Sequence, residues 1–544
     1  MTHARTIVAL LWTIGFTTSS ETLAGERNGG APLLAGLGDH HHAISTKSPE
    51  AQKYFDQGLV LLYAFNHNEA VRAFEEAARL DPECAMAYWG ISFALGPNIN
   101  APATEEGNKR AFGAIEKAQL LAEKASPKEK AYMGALAKRY TKELPKDRAP
   151  LDAAYADAMR DVARRFPEDL DAATLFAEAS MDTMPWNYWT PEGQPRQGTQ
   201  EIIDTLEHVL KLNPDHPGAN HYYIHAVEAS PNPERGLASA QRLETLVPAS
   251  GHLVHMPSHI YLRLGMYHRA SEMNELAIVA DEDYIAACKA QGFYPANYYS
   301  HNVHFLWYSS SMEGRRATAL AAARKTAEIV TEKSAEEMPH LAWLRSVPQF
   351  AFVRFGMWDE VLSAPEPNNL FEKALWHGTR GLAFARQRKL TEAKRESTSL
   401  DKIARSKEVE MLEMPNFPGL SILRIADTIL KAEVAGLEGN KDQWTMTLDT
   451  AVHLEDQLAY MEPPYWYIPT RHFLGAALLE CQKEEAAESV YRDDLIKHPN
   501  NGWALFGLMQ SLRAQGKAAD AERVHAQFLE AWKHADIALT SSRP

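Results

Sequence analysis

The sequence predicts an all-α protein built from consecutive helical hairpins. Apolar residues recur at helical spacing along most of the chain, and continuous strand patterns are absent. Prolines close helical segments at a repeat-like interval, since Pro214 in "LKLNPD" and Pro248 in "ETLVPAS" are 34 residues apart. Proline ends a helix because it lacks the backbone N–H that the helical ladder needs. A repeated hairpin of about this length is therefore the expected building unit.

The first clear hairpin covers residues 51–84. Gly58, Ala70 and Ala77 are small residues that let two helices approach closely, and Phe74 supplies an aromatic ring to fill the contact. Pro82 marks the end of the second helix. The same spacing returns later in the chain at Gly265, Tyr267, Ala270, Gly516 and Ala521.

These residues resemble the tetratricopeptide-repeat (TPR) superfamily over most of residues 50–535. The match is strongest at 51–84, 217–281 and 468–534. The stretch "FNHNEAVRAFEEAARLDPECAMAYWG" followed by "GPNIN" also resembles exported bacterial TPR proteins of unassigned activity. The superfamily resemblance implies a right-handed α-solenoid with a concave groove, and it implies no particular chemistry.

Composition narrows the classes of partner. The chain has 544 residues and a formal net charge of −15, which argues against nucleic acid or an anionic membrane surface as the main partner. Beyond the N-terminus, no apolar run approaches the roughly 20 residues of a membrane span. Histidine is abundant, with 22 residues. The three cysteines are far apart and form no CxxC motif, so we expect small buried apolar residues at these positions.

The N-terminus has the order of a secretory signal peptide. Arg5 precedes an apolar stretch from 7 to 16, and small polar residues follow, with cleavage expected near Ser20 or Ala24. We therefore predict a signal peptide at 1–24 and export to the periplasm or beyond. Residues 25–48, including the run His40–His42, are expected to form a mobile linker. Residues 49–330 are predicted to form a TPR-like superhelix with a histidine-rich groove, and 331–544 a second one.

Three consecutive repeats place histidines at matching positions. We number each repeat from the residue three after the closing proline, so Pro214 and Pro248 place position 1 at Pro217 and at Gly251. A third repeat starts at Ser300 if Gly314 takes the place of Gly265. Position 2 is then histidine in two repeats, position 5 in three and position 9 in two. These positions share one helical face because offsets of three and four residues stack along a helix. The residues concerned are His221, His225, His252, His255, His259, His301 and His304.

Such a stripe predicts a metal site in the groove. Neutral imidazole is a good ligand for copper, zinc or iron. Seven imidazoles exceed the needs of one tetrahedral ion, so two ions, or one ion plus supporting histidines, fit the count better. Glu228 and Glu178 fall on the same face and are candidates for an extra ligand or a general base. Pro257 either kinks the helix between the histidines or starts a new one.

Two insertions flank the histidine repeats, and both are rich in aromatic residues. One contains Trp186, Tyr188 and Trp189, and the other covers "CKAQGFYPANYY". Long loops in compact folds are often lids, so these segments are expected either to wall the groove or to pack on the outside of the solenoid.

The sequence thus supports more than one function. The first hypothesis is an exported protein whose groove binds one or two transition-metal ions and, if it is an enzyme, oxidises or hydrolyses a small molecule. The alternatives are a scaffold that binds a partner peptide in the groove, and a metal store or chaperone without turnover. Walker, Rossmann, GxSxG and HExxH motifs are absent from the sequence, so nucleotide-binding and serine-nucleophile chemistry have no support.

Overall fold

A computed structural model describes residues 31–290, 292–414 and 417–544. The predicted signal peptide lies outside these residues. The described chain divides into two compact units. The N-terminal unit contains Asp39–Tyr188 and Gln197–Asn213, and the C-terminal unit contains Trp189–Arg196 and Pro214–Pro544, together with Ala35–Gly38. The predicted domain boundary after residue 330 falls inside the C-terminal unit, because the helices on either side of it pack on one another.

The N-terminal unit is helical. Its α-helices are α1 Pro49–Tyr63, α2 His67–Leu80, α3 Ala85–Ala94, α4 Glu105–Leu120, α5 Pro127–Leu136, α6 Ala149–Arg165, α7 Leu170–Asp182 and α8 Thr199–Leu212. Short 3-10 turns follow α4 and α5.

The C-terminal unit continues the same architecture. Its α-helices are α9 Pro217–Val227, α10 Leu237–Leu246, α11 Gly251–His255, α12 Pro257–Arg263, α13 Tyr267–Cys288, α14 Ser300–Met312, α15 Arg316–Ile329, α16 Glu332–Glu337, α17 Val347–Arg354, α18 Trp358–Ser363, α19 Leu370–Arg386, α20 Leu390–Ala404, α21 Lys407–Glu410, α22 Gly419–Leu437, α23 Lys441–Asp456, α24 Thr470–Glu480, α25 Glu484–Lys497, α26 Gly502–Ala514 and α27 Ala518–Ala531. Two short antiparallel strands, β1 Glu413–Met414 and β2 Phe417–Pro418, precede α22.

Successive helices pack on one another, as the repeat pattern predicts. In the first hairpin the fully buried ring of Phe74 in α2 lies against Gly58 of α1 and Gly90 of α3. A Cβ at Gly58 would come within 2.7 Å of that ring, and one at Gly90 within 2.4 Å. Glycine is therefore required for this close approach. The prediction of an all-α fold is confirmed, and the chain folds as a series of packed helical hairpins.

The predicted repeat starts coincide with helix starts. Helices α9, α11 and α14 begin at Pro217, Gly251 and Ser300. Gly265 and Gly314 lie in the turns that follow α12 and α14, and both have positive φ, at 69° and 76°. The first helices of the three repeats therefore start in the predicted register, which is the condition for a shared site.

Residues 40–45, which were predicted to lie in a mobile linker, are docked on the N-terminal unit. His40 Nε2 and His42 Nδ1 lie 3.0 and 2.7 Å from the carboxylate of Asp171 in α7. The backbone N–H and hydroxyl of Ser45 donate to Glu129. These contacts hold residues 40–45 because they add hydrogen bonds to two buried carboxylates, which also accept from Tyr63 and from Ser126.

None of the helices formed by the described residues is long and apolar enough to cross a lipid bilayer. All three cysteines are free thiols, with Cys84 and Cys288 buried and Cys481 half-buried.

Candidate metal centre

Six imidazoles form a closed ring inside the C-terminal unit. In the order His221, His225, His259, His301, His255, His252 and back to His221, each ring centroid lies 4.8–5.9 Å from the next. Helix α9 supplies two of these residues, α11 two, and α12 and α14 one each. All are buried except His301, which is half-buried. The predicted convergence of histidines from three repeats is thus present in the geometry, within a closed core rather than on an open surface.

The ring divides into two groups of three potential ligands. His221, His225 and His252 form one group, and within it the ligand atoms lie within 4.8 Å of one another. His255, His259 and His301 form the other group by the same measure. We call them the first and second triad.

Each triad contains a pair of nitrogens that face each other. Nε2 of His221 lies 3.1 Å from Nε2 of His252, and Nε2 of His255 lies 2.9 Å from Nε2 of His259. Two imidazole nitrogens bound to one ion at about 2.0–2.1 Å are roughly 2.8–3.4 Å apart, for bond angles between about 90° and the tetrahedral value. Both separations therefore suit a shared ion.

Glu228 connects the two triads from outside the ring. One carboxylate oxygen, Oε1, lies 2.8 Å from Nδ1 of His225, and the other, Oε2, lies 2.6 Å from Nδ1 of His259. A carboxylate at Nδ1 fixes the tautomer and directs the Nε2 lone pair toward an ion. This position favours an orienting role for Glu228 over the predicted roles of ligand or base, because both of its oxygens already face Nδ1 atoms.

Two further residues orient the second triad. Asn274 of α13 places Oδ1 2.7 Å from Nδ1 of His255, so that Nδ1–H donates to the amide oxygen. Glu462, in the loop between α23 and α24, places Oε2 3.2 Å from Nδ1 of His259. The Nε2 atoms of His255 and His259 are consequently the ones left to face each other.

Burial and charge set the protonation of the ring. Burial lowers the pKa values of His252, His255 and His301 well below the usual range, and neighbouring imidazoles lower them further. Burial also lowers the pKa of His259, but the carboxylates of Glu228 and Glu462 outweigh it and raise that pKa to about 10. Most of the ring is therefore neutral, which is the state that binds metal ions.

The pKa values of the two nearby carboxylates, Glu228 and Glu462, are shifted in opposite directions. Burial alone would raise the pKa of Glu228, but contact with His259 and His225 holds it well below its usual range. Burial raises the pKa of Glu462, and contact with His259 only partly opposes this shift. Glu228 is consequently the firm negative charge of the centre.

Aromatic side chains enclose the ring. Phe305 of α14 lies 4.8–5.4 Å from the three imidazoles of the second triad. Tyr298, from the second predicted insertion, lies 4.9 Å from His252. The hydroxyl of Tyr460 lies 3.5 Å from Glu228, and Arg263 stacks on the Tyr460 ring at 5.3 Å. The second insertion thus contributes a wall of the site, whereas Trp189 of the first hydrogen-bonds to a backbone carbonyl of α9.

His304 lies outside both triads, although its repeat position matches that of His255. Its ring stacks on Trp307 at 5.5 Å and meets Trp343 and Tyr467 at 5.3 and 5.4 Å. Burial in this aromatic cluster lowers the pKa of His304 to about 3. Among the described residues, the potential ligand groups do not include it. One turn along α14 from His301 is enough to aim the side chain at a different set of neighbours.

Glu178 also differs from its predicted place in the stripe. It lies on α7 in the N-terminal unit, where burial and the adjacent Asp182 raise its pKa well above the usual range. Arg139, itself fully buried, forms an ion pair with Asp182. Glu178 therefore belongs to a buried polar cluster of its own unit, and the repeat before Pro214 does not continue the histidine register.

Sequence reasoning missed Glu462 and Asn274. Glu462 is more than 200 residues from Glu228, in a loop segment without repeat register, so no spacing rule could connect it with the histidines. Asn274 follows Ala270 by one turn on the second helix of its hairpin, and that helix carried no signal for a polar site.

Comparisons with known proteins add little to this geometry. Neither a protein-family model nor a curated protein matches the sequence. Among solved structures, the APC/C hetero-tetramer Cut9–Hcn1 matches at 11% identity over 89% of this chain and 74% of that chain, with a TM-score of 0.29. A human IFIT1 dimer with m7Gppp-AAAA matches at 12% over 90% and 91%, with a TM-score of 0.34. The P58(IPK) TPR domain matches at 12% over 86% and 99%, with a TM-score of 0.22.

Proposed function

We propose that this protein binds transition-metal ions through the ring of six imidazoles. The observation that carries the proposal is a pair of close Nε2 contacts: His221 with His252 of the next repeat at 3.1 Å, and His255 with His259 of the same repeat at 2.9 Å. A buried polar group needs a partner, and two facing nitrogen lone pairs repel each other unless a proton or a cation lies between them. A metal ion provides that cation for several imidazoles at once.

The groups behind the imidazoles support the same proposal. A polar core that served packing alone would need only enough hydrogen bonds to satisfy each ring. Here Glu228 and Asn274 contact Nδ1 atoms, and the Nε2 atoms of the same or neighbouring rings turn inward. This is the arrangement in which a carboxylate or an amide positions a ligating histidine.

The donor set favours copper, zinc or iron, the metals predicted from the sequence. Imidazole nitrogen suits these ions, whereas magnesium, calcium and manganese prefer oxygen ligands. Three protein ligands per ion leave a coordination position for a small molecule, which is the arrangement of catalytic rather than purely structural metal sites. Oxidation or hydrolysis of a small molecule is therefore the enzyme class we propose, and a store without turnover is the outcome if no reaction is found.

Metal analysis of the full chain, purified without a histidine tag, tests the proposal. We expect at least one tightly held transition-metal ion per chain after incubation with copper, zinc or iron and removal of excess ion. The double change His221→Ala and His255→Ala removes one ligand from each triad and should abolish this retention. His453→Ala changes an exposed histidine and serves as the matched control. Wild-type protein that stays folded and retains no metal would contradict the proposal.

A second candidate is a scaffold that holds a partner protein or peptide, and the TPR-like architecture favours it. Such a scaffold needs no metal, so a folded, metal-free wild-type protein that binds peptides would support it over the first candidate.

Export is a prediction from residues 1–24, and the cell fraction that contains the protein would test it.

A further inference from the structure

The two triads share a boundary. His225 of the first triad lies 5.5 Å from His259 of the second, and His252 of the first lies 5.9 Å from His255 of the second, both measured between ring centroids. Building on the metal binding proposed above, we infer that the centre holds two copper ions, one in each triad, and that dioxygen binds between them.

The potential ligands of the two triads are all imidazole nitrogens. The carboxylates of Glu228 and Glu462 lie at Nδ1 atoms, behind the ligating rings. Hard ions that require carboxylate ligands are therefore disfavoured inside the ring. Copper in both of its common oxidation states accepts imidazole nitrogen.

The charged groups near the ring favour two copper(I) ions over two divalent ions. Glu228 supplies one negative charge to the centre, and Arg263, whose guanidinium contacts the backbone carbonyls of Glu228 and Ser230, supplies one positive charge. Two monovalent ions therefore leave two excess positive charges, whereas two divalent ions leave four, and an ionised Glu462 would lower both totals by one. Uncompensated charge is costly in a buried site, so the monovalent pair fits this interior better.

Copper(I) at each triad leaves an open position toward the other ion. Functional two-metal sites hold their ions about 3.5–4 Å apart, a gap that suits a small bridging ligand. Phe305 and Tyr298 pack against the imidazoles and leave the ring enclosed. A diatomic molecule satisfies this size limit, and a large substrate does not.

Electron transfer from two copper(I) ions to dioxygen is a balanced reaction. Each copper(I) gives up one electron, dioxygen accepts both, and its O–O bond order falls from two to one. Two copper–oxygen contacts form, and neither a proton nor a leaving group moves. The added ligand is neutral before the transfer, so the net charge of the buried centre does not change.

The test uses the full chain, purified without a histidine tag and loaded with copper(I) in the absence of air. We expect two copper ions per chain, and uptake of one dioxygen for every two copper ions when air is admitted. His252→Ala and His301→Ala each disable one triad and should hold one copper ion without this uptake. His304→Phe keeps a buried aromatic ring outside both triads and should match the wild type in both measurements.

The outcomes separate the two proposals. A wild-type chain that saturates at one copper ion overturns the two-ion centre but leaves metal binding intact. Two copper ions without dioxygen uptake overturn the dioxygen site. Failure to bind any transition metal overturns the proposed function itself. Circular dichroism shows whether each variant is folded, and if a variant is not, the wild-type copper count and dioxygen uptake still decide the matter.

Discussion

Replacing Glu228 with glutamine should weaken metal binding at both triads. Glutamine keeps the size of the side chain but removes its charge, and its amide can present an oxygen to only one of the two Nδ1–H groups. The two contacts at stake are those of 2.8 Å to His225 and 2.6 Å to His259. Loss of an orienting partner typically lowers metal affinity by about 10- to 100-fold, or about 1.4–2.7 kcal/mol. We expect a loss in this range at each triad.

The assay is a titration of the apoprotein with metal in competition with a chelator of known affinity. Glu462→Gln is the matched comparison, because Glu462 contacts His259 of the second triad and its loss should weaken one of the two binding steps. Both variants need a folding control by thermal denaturation, since removing one partner of a buried ion pair also destabilises the protein. If Glu228→Gln leaves both binding steps within about threefold of the wild type, then the carboxylate does not orient the ligands and the reasoning fails.

Three further predictions concern stability. Phe74→Ala empties the contact between α1, α2 and α3 and should lower the free energy of unfolding by about 3–5 kcal/mol in a denaturant titration, and a loss below about 1 kcal/mol would contradict the packing described. Gly265→Ala places a Cβ 2.0 Å from the backbone oxygen of Pro499 at a φ of 69°, so it should cost at least about 1–3 kcal/mol, with Gly516→Ala as a control for positive φ without a clash. Burial alone would raise the pKa of Asp494, but contact with His472, whose Nε2 lies 3.0 Å away, and with His498 holds that pKa well below the unfolded value of about 4. Its contribution to stability is therefore present above that value and lost as the pH falls below it, and Asp494→Asn should remove this part of the acid sensitivity.

The repeat register explains why much of the site could be predicted. A 34-residue period fixes both the start of a helix and the direction of each position, and so His221, His225, His255 and His259 could be assigned to a common face without coordinates. Pro257 starts α12 and yet keeps His259 beside His255, because Met256 between the two helices has helical φ and ψ. The interruption therefore did not break the register.

The repeat register does not predict the direction of a side chain that is set by its packing neighbours. His304 occupies the same repeat position as His255, yet Trp343 and Tyr467 surround it, and neither belongs to the repeats that supply the triads. Glu178 precedes the three histidine repeats, and its neighbours Arg139 and Asp182 carry no repeat signal in the sequence. Burial was also missed, because a stripe of polar residues gives the same pattern whether it faces solvent or an internal cavity.

Residues far along the chain from the histidine repeats also contribute to the centre. In a helical repeat protein most contacts join neighbours in sequence, so local hairpins alone could bring the six imidazoles together. Glu462 and Tyr460 reach the same centre from beyond α23, and Tyr467 packs on His304 from the same loop. The carboxylate that helps to raise the pKa of His259 is therefore in place only when the hairpins up to α23 and α24 are folded. Metal affinity should consequently report on the folding of the whole C-terminal unit and not only on the three hairpins that supply the ligands.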